Sequence, residues 1–310
     1  MWFAPAKYEK NLINLNDEYM SLKGELDDKL AKETLARFLR NNIGFTFELL
    51  TGIRLPAYEE CIIKGFMNRN YSMMVAGRGC GKTTIAAFFS ILQMIFEPRT
   101  KIVIAGPTFR TARAIFDEVE RISERSEAKM LNDAFSLSAA KRRNDLHSWE
   151  INGGNIVAIP LNGEKIRGFR ANVVIIDEYL LLTQDMIKNI LMPFLVAPQN
   201  IGERLKIREI EDQLIYENEM EEEDRTTFQS TSKMIALSSA SFTFEFLYEN
   251  FKEWVSNIYN EQETESTYFV CQIGYEGIPQ DMVEKTVIEE ASSGGKENPA
   301  FLREYGAQFT

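Results

Sequence analysis

Eight consecutive residues carry the clearest chemistry in the chain: Ala76-Gly77-Arg78-Gly79-Cys80-Gly81-Lys82-Thr83. Glycines at 77, 79 and 81 let the backbone turn so that successive N–H groups converge on one point, a seat for phosphate oxygens. The N-terminus of a helix that follows such a loop adds about half a positive charge. Lys82 is long enough to reach between the β- and γ-phosphates of a nucleoside triphosphate. The Thr83 hydroxyl can ligate Mg²⁺, and Thr84 completes the set facing the nucleotide. The pattern departs from the strict phosphate-binding loop at Ala76, where the first glycine normally stands, but alanine is small enough for a strand-to-loop corner.

A second constellation is Val173-Val174-Ile175-Ile176-Asp177-Glu178. Four apolar β-branched residues predict a central strand, with two carboxylates at its C-terminal end, the edge at which open parallel sheets bind ligands. Asp177 would hold Mg²⁺ through its water shell, and Glu178 would polarise an attacking water toward the γ-phosphate. Such a strand is weak evidence alone. Paired with the phosphate loop it points to hydrolysis, because Glu178 offers a base for water. Cys80, among loop N–H dipoles and near Lys82, is expected to have a lowered pKa, to react with thiol reagents and to be protected by bound ATP.

The elements that must position these groups alternate. Apolar runs predict buried strands at Tyr71–Ala76, 101–105, 172–176, Lys233–Ser238 and 268–275. Helices are predicted over 17–41, 83–96, 108–125 and 184–195, and after each of the last two strands. Ser148 to Pro160 reads as a hairpin turning at Asn152-Gly153-Gly154-Asn155. Residues 197–231 are expected to be the least ordered stretch. Apolar strands separated by helices imply an α/β fold with a mostly parallel sheet covered on both faces.

The 310 residues hold 35 Lys and Arg against 46 Asp and Glu, a net charge of −11, which excludes a polybasic nucleic-acid binder. The imbalance is uneven. Residues 1–195 carry a net charge of +3 and residues 196–310 one of −14, so a polyanion should approach the first two thirds of the chain. Three scattered cysteines, Cys61, Cys80 and Cys271, exclude a disulfide framework and a Cys-rich zinc site. One histidine, His147, leaves no His-based metal cluster. No targeting signal or membrane span is visible, which fits an intracellular protein with reduced cysteines.

With these residues in place, the chain resembles the ATPase domain of a large terminase subunit, the motor that packages DNA into tailed-phage and related viral capsids. The resemblance rests on Arg78 inside the phosphate loop and on Lys101–Ala112 (KIVIAGPTFRTA). It rests also on Ile166-Arg167-Gly168-Phe169-Arg170 leading into the acidic pair, on Leu237-Ser238-Ser239-Ala240-Ser241, and on Phe301-Leu302-Arg303-Glu304-Tyr305 with Phe309. It implies a P-loop NTPase of the ASCE/RecA-like, terminase type, a core over 45–275, and a small lid subdomain made of 1–44 with 276–310.

By the same resemblance Arg78 contacts the γ-phosphate within its own subunit. Arg167 would be the finger acting on a neighbouring subunit's ATP, with Arg170 the competing candidate. Ser238 and Ser239 would couple hydrolysis to movement. The family commonly has a glutamine that recognises adenine before the loop; here Glu59 stands at that position, and Tyr58 could stack on the base or serve in the core. The implied cofactor is Mg²⁺ and the substrate ATP. The implied partners are double-stranded DNA, the portal protein of the procapsid, the small terminase subunit and further copies of the chain in a ring assembled on the portal from monomers, in the host cell cytoplasm and without a membrane. Lys141-Arg142-Arg143 is the densest basic cluster and a candidate for DNA phosphates. Terminases resemble two-domain enzymes with a nuclease after the motor; the chain stops near that junction, so no DNA cleavage is expected from it. A helicase-like translocase is the alternative.

Overall fold

The computed structural model describes residues 29–132, 148–151, 153–161, 168–196, 201–228, 230–260 and 266–310. Among the described residues three helices, α1 (Lys29–Asn41), α2 (Ile43–Thr51) and α3 (Ala57–Asn68), precede β1 (Tyr71–Ala76). There follow α4 (Lys82–Phe96), β2 (Lys101–Gly106), α5 (Phe109–Ser123), β3 (Ser148–Ile151), β4 (Gly154–Pro160) and β5 (Val173–Ile176). The chain continues through α6 (Ile201–Tyr216), β6 (Lys233–Ser238), α7 (Phe246–Tyr259), β7 (Tyr268–Ile273), α8 (Lys285–Ala291) and α9 (Pro299–Glu304).

The strands form one seven-stranded sheet in the order β3-β4-β2-β5-β6-β1-β7. Every pairing is parallel except the β3–β4 hairpin at the edge. The period-two alternation of side chains divides the apolar strand residues between two cores. Met74, Ile102, Ile104, Val173, Ile175, Ile235 and Leu237 face α2 to α5. Met73, Val75, Val103, Val174, Ile176, Met234 and Ala236 face the turns after β5 and helix α7. Both faces are covered, which is why these strands are apolar throughout.

Helix α4 is the element on which the phosphate loop depends. Ile85 to Met94 are all buried, because α4 lies between the sheet and the outer helices, with Phe47 of α2 against Phe88 (centroids 4.4 Å apart) and Phe66 of α3 edge-on to Phe89 at 5.8 Å. Each such side chain contributes about 1.5–3 kcal/mol by burial, enough to fix the helix start that presents Lys82. Helix α5 starts at Thr108, whose hydroxyl accepts from the Thr111 N–H in a capping box.

Two predicted elements differ from those observed. The helix predicted over 184–195 is a single α-turn (Gln184–Met186), a π-turn (Ile187–Leu191) and a 3₁₀ turn (Met192–Leu195). Pro193 lacks the N–H that an α-helix needs there, and the segment rewinds around it. Residues expected to lack order include α6, sixteen residues long. Its polar composition hides good helix formers, and Arg208 pairs with Glu211 one turn on at 2.8 Å. The first half of the predicted 17–41 helix lies outside the described residues; its second half is α1.

Candidate active site

Three neighbouring strands deliver the candidate residues to one edge of the sheet. β5, β6 and β1 are adjacent and parallel. The loop after β1 carries Gly77 to Thr83, the turn after β5 carries Asp177 and Glu178, and β6 ends in Ser238. Ile176 is level with Ala236 and Val75 with Ser238, so the acidic pair, the serine and the start of the loop stand at about one height. Two strand spacings, roughly 10 Å, separate β1 from β5.

The loop turns through glycines at which a side chain would be strained or would clash. Gly79 and Gly81 both have φ of 78°, and a Cβ at Gly77 would run into the Tyr305 carbonyl oxygen. Lys82 at the start of α4 donates to the Ala76 carbonyl at 2.8 Å and to that of Gly77 at 3.4 Å. Burial lowers the Lys82 pKa, while the carboxylates of Glu178 and Asp177 oppose that shift. A half-desolvated cation of this kind gains most from an incoming polyanion. Asp177 is buried, and desolvation with the neighbouring Glu178 charge raises it to about 6. Its Oδ1 accepts from the Glu178 N–H at 3.1 Å.

Glu178 itself has φ 52° and ψ 50°, a left-handed conformation that costs a non-glycine residue about 1 kcal/mol or more. The conformation ends β5 abruptly and turns the chain into the Tyr179–Leu181 3₁₀ turn. Ser238 Oγ accepts from the Leu180 N–H at 3.2 Å, so the serine is bonded to the backbone just after the glutamate. Ser239 is buried beside it.

Arg78 leaves the loop toward the C-terminal segment. Its guanidinium pairs with Glu304 at 2.5 Å and its N–H donates to the Glu304 carbonyl at 2.6 Å. Thr310 closes the same segment onto the stretch after β6, donating to the Ser241 carbonyl and accepting from the Thr243 N–H. These contacts join residues far apart in sequence; the sequence marked Phe301–Tyr305 as a motif but not its contact with Arg78. Tyr58 and the buried Glu59 flank the loop from α3: the Tyr58 hydroxyl donates to Glu59 Oε1 at 3.1 Å, and both groups lie within 4 Å of a Cβ placed at Gly81. Burial raises the Glu59 carboxyl.

Cys80 corrects an expectation. Its side chain is fully buried in the core beneath the loop, and desolvation raises the thiol, outweighing the opposing influence of Lys82 and the Gly77 backbone. The Cys80 N–H donates back to the Gly77 carbonyl at 3.3 Å, closing the loop above the buried thiol. Arg167 and Lys141-Arg142-Arg143 lie outside the described residues. Arg170 is exposed and precedes β5. The next residue, Ala171, bonds to Phe194, and Asn172 bonds to Lys101 at the start of β2, so Arg170 sits at the sheet edge opposite its own phosphate loop.

A parallel sheet with a phosphate loop after β1, an acidic pair after β5 and a strand inserted between them defines a P-loop NTPase of the ASCE type. Within that class, residues 73–189, which include the loop and the acidic pair, match the family model of the terminase large subunit, T4likevirus-type, N-terminal. The chain matches no curated protein sequence. Its fold is that of large-terminase ATPase domains. It superimposes on the large terminase ATPase domain of Thermus phage P74-26 with a TM-score of 0.58, at 14% identity, over 86% of this chain and 98% of that one. The large terminase of bacteriophage HK97 gives 0.55 at 13% identity over 83% of this chain and 51% of its own. The large terminase of a thermophilic bacteriophage, in complex with ADP, gives 0.54 at 8% identity over 83% and 54%. The chain thus spans about half the length of these last two large terminases.

Proposed function

We propose that the chain is the ATP-hydrolysing motor domain of a large terminase that translocates double-stranded DNA into a procapsid. The observation that carries the reading is the convergence of Lys82, Asp177 and Glu178 at one sheet edge, with Lys82 within the electrostatic reach of both carboxylates. The amides of Gly81, Lys82 and Thr83 at the start of α4 grip phosphate oxygens, and Lys82 neutralises the β- and γ-phosphates. Glu178, at the tip of a rigid strand, orients a water toward the γ-phosphate and accepts its proton.

Thr83 and Asp177 fit Mg²⁺: one hydroxyl and one buried carboxylate are the hard oxygen donors of a cation that keeps most of its waters. Bound there, Mg²⁺ would supply charge neutralisation between the phosphates. Arg78 reaches the γ-phosphate by leaving Glu304. Arg167, with Arg170 as its competitor, acts on a neighbouring subunit's ATP in a ring on the portal. Residues 1–44, of which 1–28 lie outside the described residues, and 276–310 would form the lid whose motion on ATP binding moves DNA. Among the described residues no helix is long and apolar enough to cross a membrane.

The test is steady-state ATP hydrolysis of the wild type against Glu178→Gln. The variant should lose about 10²-fold or more in kcat while ATP binding, measured by calorimetry, stays within a few-fold. Equal turnover removes the catalytic assignment. Packaging of linear DNA into procapsids, abolished by the same substitution, tests the motor role.

A further inference from the structure

We infer that Tyr179 and Asn250 form a positioning clamp that holds Glu178 in its productive conformation and ties it to helix α7. The inference rests on the proposed hydrolytic site and deepens it. Glu178 occupies a left-handed backbone conformation that its own side chain disfavours. Such a conformation persists only where the surroundings fix both sides of it. On the upstream side stands β5, fully buried and paired on both edges.

On the downstream side stands Tyr179. Its side chain is 1% exposed, and its hydroxyl accepts from Asn250 Nδ2 at 2.6 Å in a buried hydrogen bond. Its ring stacks on Phe246, with centroids 6.3 Å apart and planes inclined by 16°. Phe246 and Asn250 lie one turn apart on α7, so the helix grips the ring by its face and the hydroxyl by an amide. Ser238 secures the next residue through the Leu180 N–H. Neither Tyr179 nor Asn250 has a task in phosphate chemistry: both are buried, and the Tyr179 ring belongs to the far core face with Ile176, Leu247 and Trp254.

A satisfied buried amide–hydroxyl pair rigidifies the backbone that carries it, here the residue next to the one that must aim a water. The clamp makes the direction of the Glu178 carboxylate a function of where α7 sits. A shift of that carboxylate by about 1 Å costs on the order of 10²-fold in rate, with no effect on phosphate binding.

The experiment compares wild type, Tyr179→Phe, Asn250→Leu and the double variant. Three readouts are taken: kcat and KM for ATP, calorimetric affinity for a nonhydrolysable ATP analogue, and amide hydrogen exchange at Leu181 and Leu182. Each variant should lose about 10- to 100-fold in kcat, with KM and affinity within about twofold. Exchange at the two amides should quicken at least tenfold while β5 stays protected. The double variant removes both polar partners, so it recovers stability without recovering kcat. Wild-type kcat in the double variant, or a parallel loss of kcat and affinity in all three, overturns the clamp. The exchange readout needs no turnover. Faster exchange in a chain whose wild type hydrolyses no ATP would uphold the clamp and sink the hydrolytic reading; unchanged exchange overturns the clamp whatever the activity.

Discussion

Replacing Asp177 by Asn should make the protein more stable and less able to use Mg²⁺ and ATP. Asp177 is buried, and its carboxyl titrates near 6 against an ordinary value of 3.8. Desolvation is the main cause and the adjacent Glu178 charge the second. A raised acid pKa means that folding favours the neutral carboxyl. Below about pH 4 the group is protonated in both folded and unfolded chains and makes no difference. Between about pH 4 and 6 the unfolded chain ionises while the folded one resists, and stability is lost. Above about pH 6 the penalty is complete. A shift of about two pH units corresponds to about 3 kcal/mol.

Asn is neutral, and its Oδ1 can keep the hydrogen bond from the Glu178 N–H. Asp177→Asn should therefore be stabilised by up to about 3 kcal/mol at about pH 8. With an unfolding entropy of about 2.1 cal/mol/K per residue, a chain of this length should gain roughly 4–5 °C in Tm. The assay is thermal unfolding followed by circular dichroism at about pH 4, 6 and 8 without Mg²⁺. The gap between variant and wild type should widen from near zero to its plateau across that range. A gap independent of pH, or a wild type more stable than the variant at the alkaline end, refutes the reasoning. Such a result would mean that the carboxylate is solvated or satisfied as an anion without metal.

Two further outcomes follow from groups around the loop. At about pH 8 a maleimide should modify exposed Cys61 first and buried Cys80 at least about tenfold more slowly, read by peptide mass mapping; Cys80 modified first would contradict the burial. Glu304→Gln frees the Arg78 guanidinium, and since both side chains are substantially exposed (67% and 41%) the stability change should stay below about 1 kcal/mol. The KM for ATP should nevertheless fall a few-fold, whereas Arg78→Ala should raise it. A fall in both, or in neither, detaches Arg78 from the γ-phosphate.

What the sequence disclosed is what lies contiguous along it. The loop from Ala76 to Thr83 is one strand end and one helix start, so its chemistry and its geometry share eight residues. The strand before Asp177 declares itself by four β-branched residues that only a strand buried on both faces could use. Strand order is different: nothing in the periodicity of β6 says that it inserts between β1 and β5, because insertion depends on long-range pairing. The orientation of Cys80 was hidden for a related reason. Charge neighbours along the chain suggested a lowered pKa, but the core cluster beneath the loop, contributed by residues as distant as Ile43 and Ile278, desolvates the thiol and decides the sign.

The same division separates the groups proposed to act from the groups proposed to aim them. Lys82, Asp177 and Glu178 were legible because their types are chemically diagnostic. Tyr179 and Asn250 were not, because a tyrosine and an asparagine have ordinary uses everywhere, and Glu304 was legible only as part of Phe301–Tyr305, not as the partner of Arg78. Their significance comes from bonds that join residues 71 and 226 positions apart. These bonds attach the candidate catalytic edge to two supports outside the sheet, α7 and the C-terminal segment, while β5, β6 and β1 are locked by ladders on both sides. A motor built on such an edge has little freedom in the sheet. A change of shape at the nucleotide must leave through the turn after β5 or through the segment that ends at Thr310, and the latter is bonded to the stretch after β6 as well as to the phosphate loop. Loosening either support should therefore uncouple turnover from nucleotide binding, whereas trimming the buried strand interior should lower stability and affect both together.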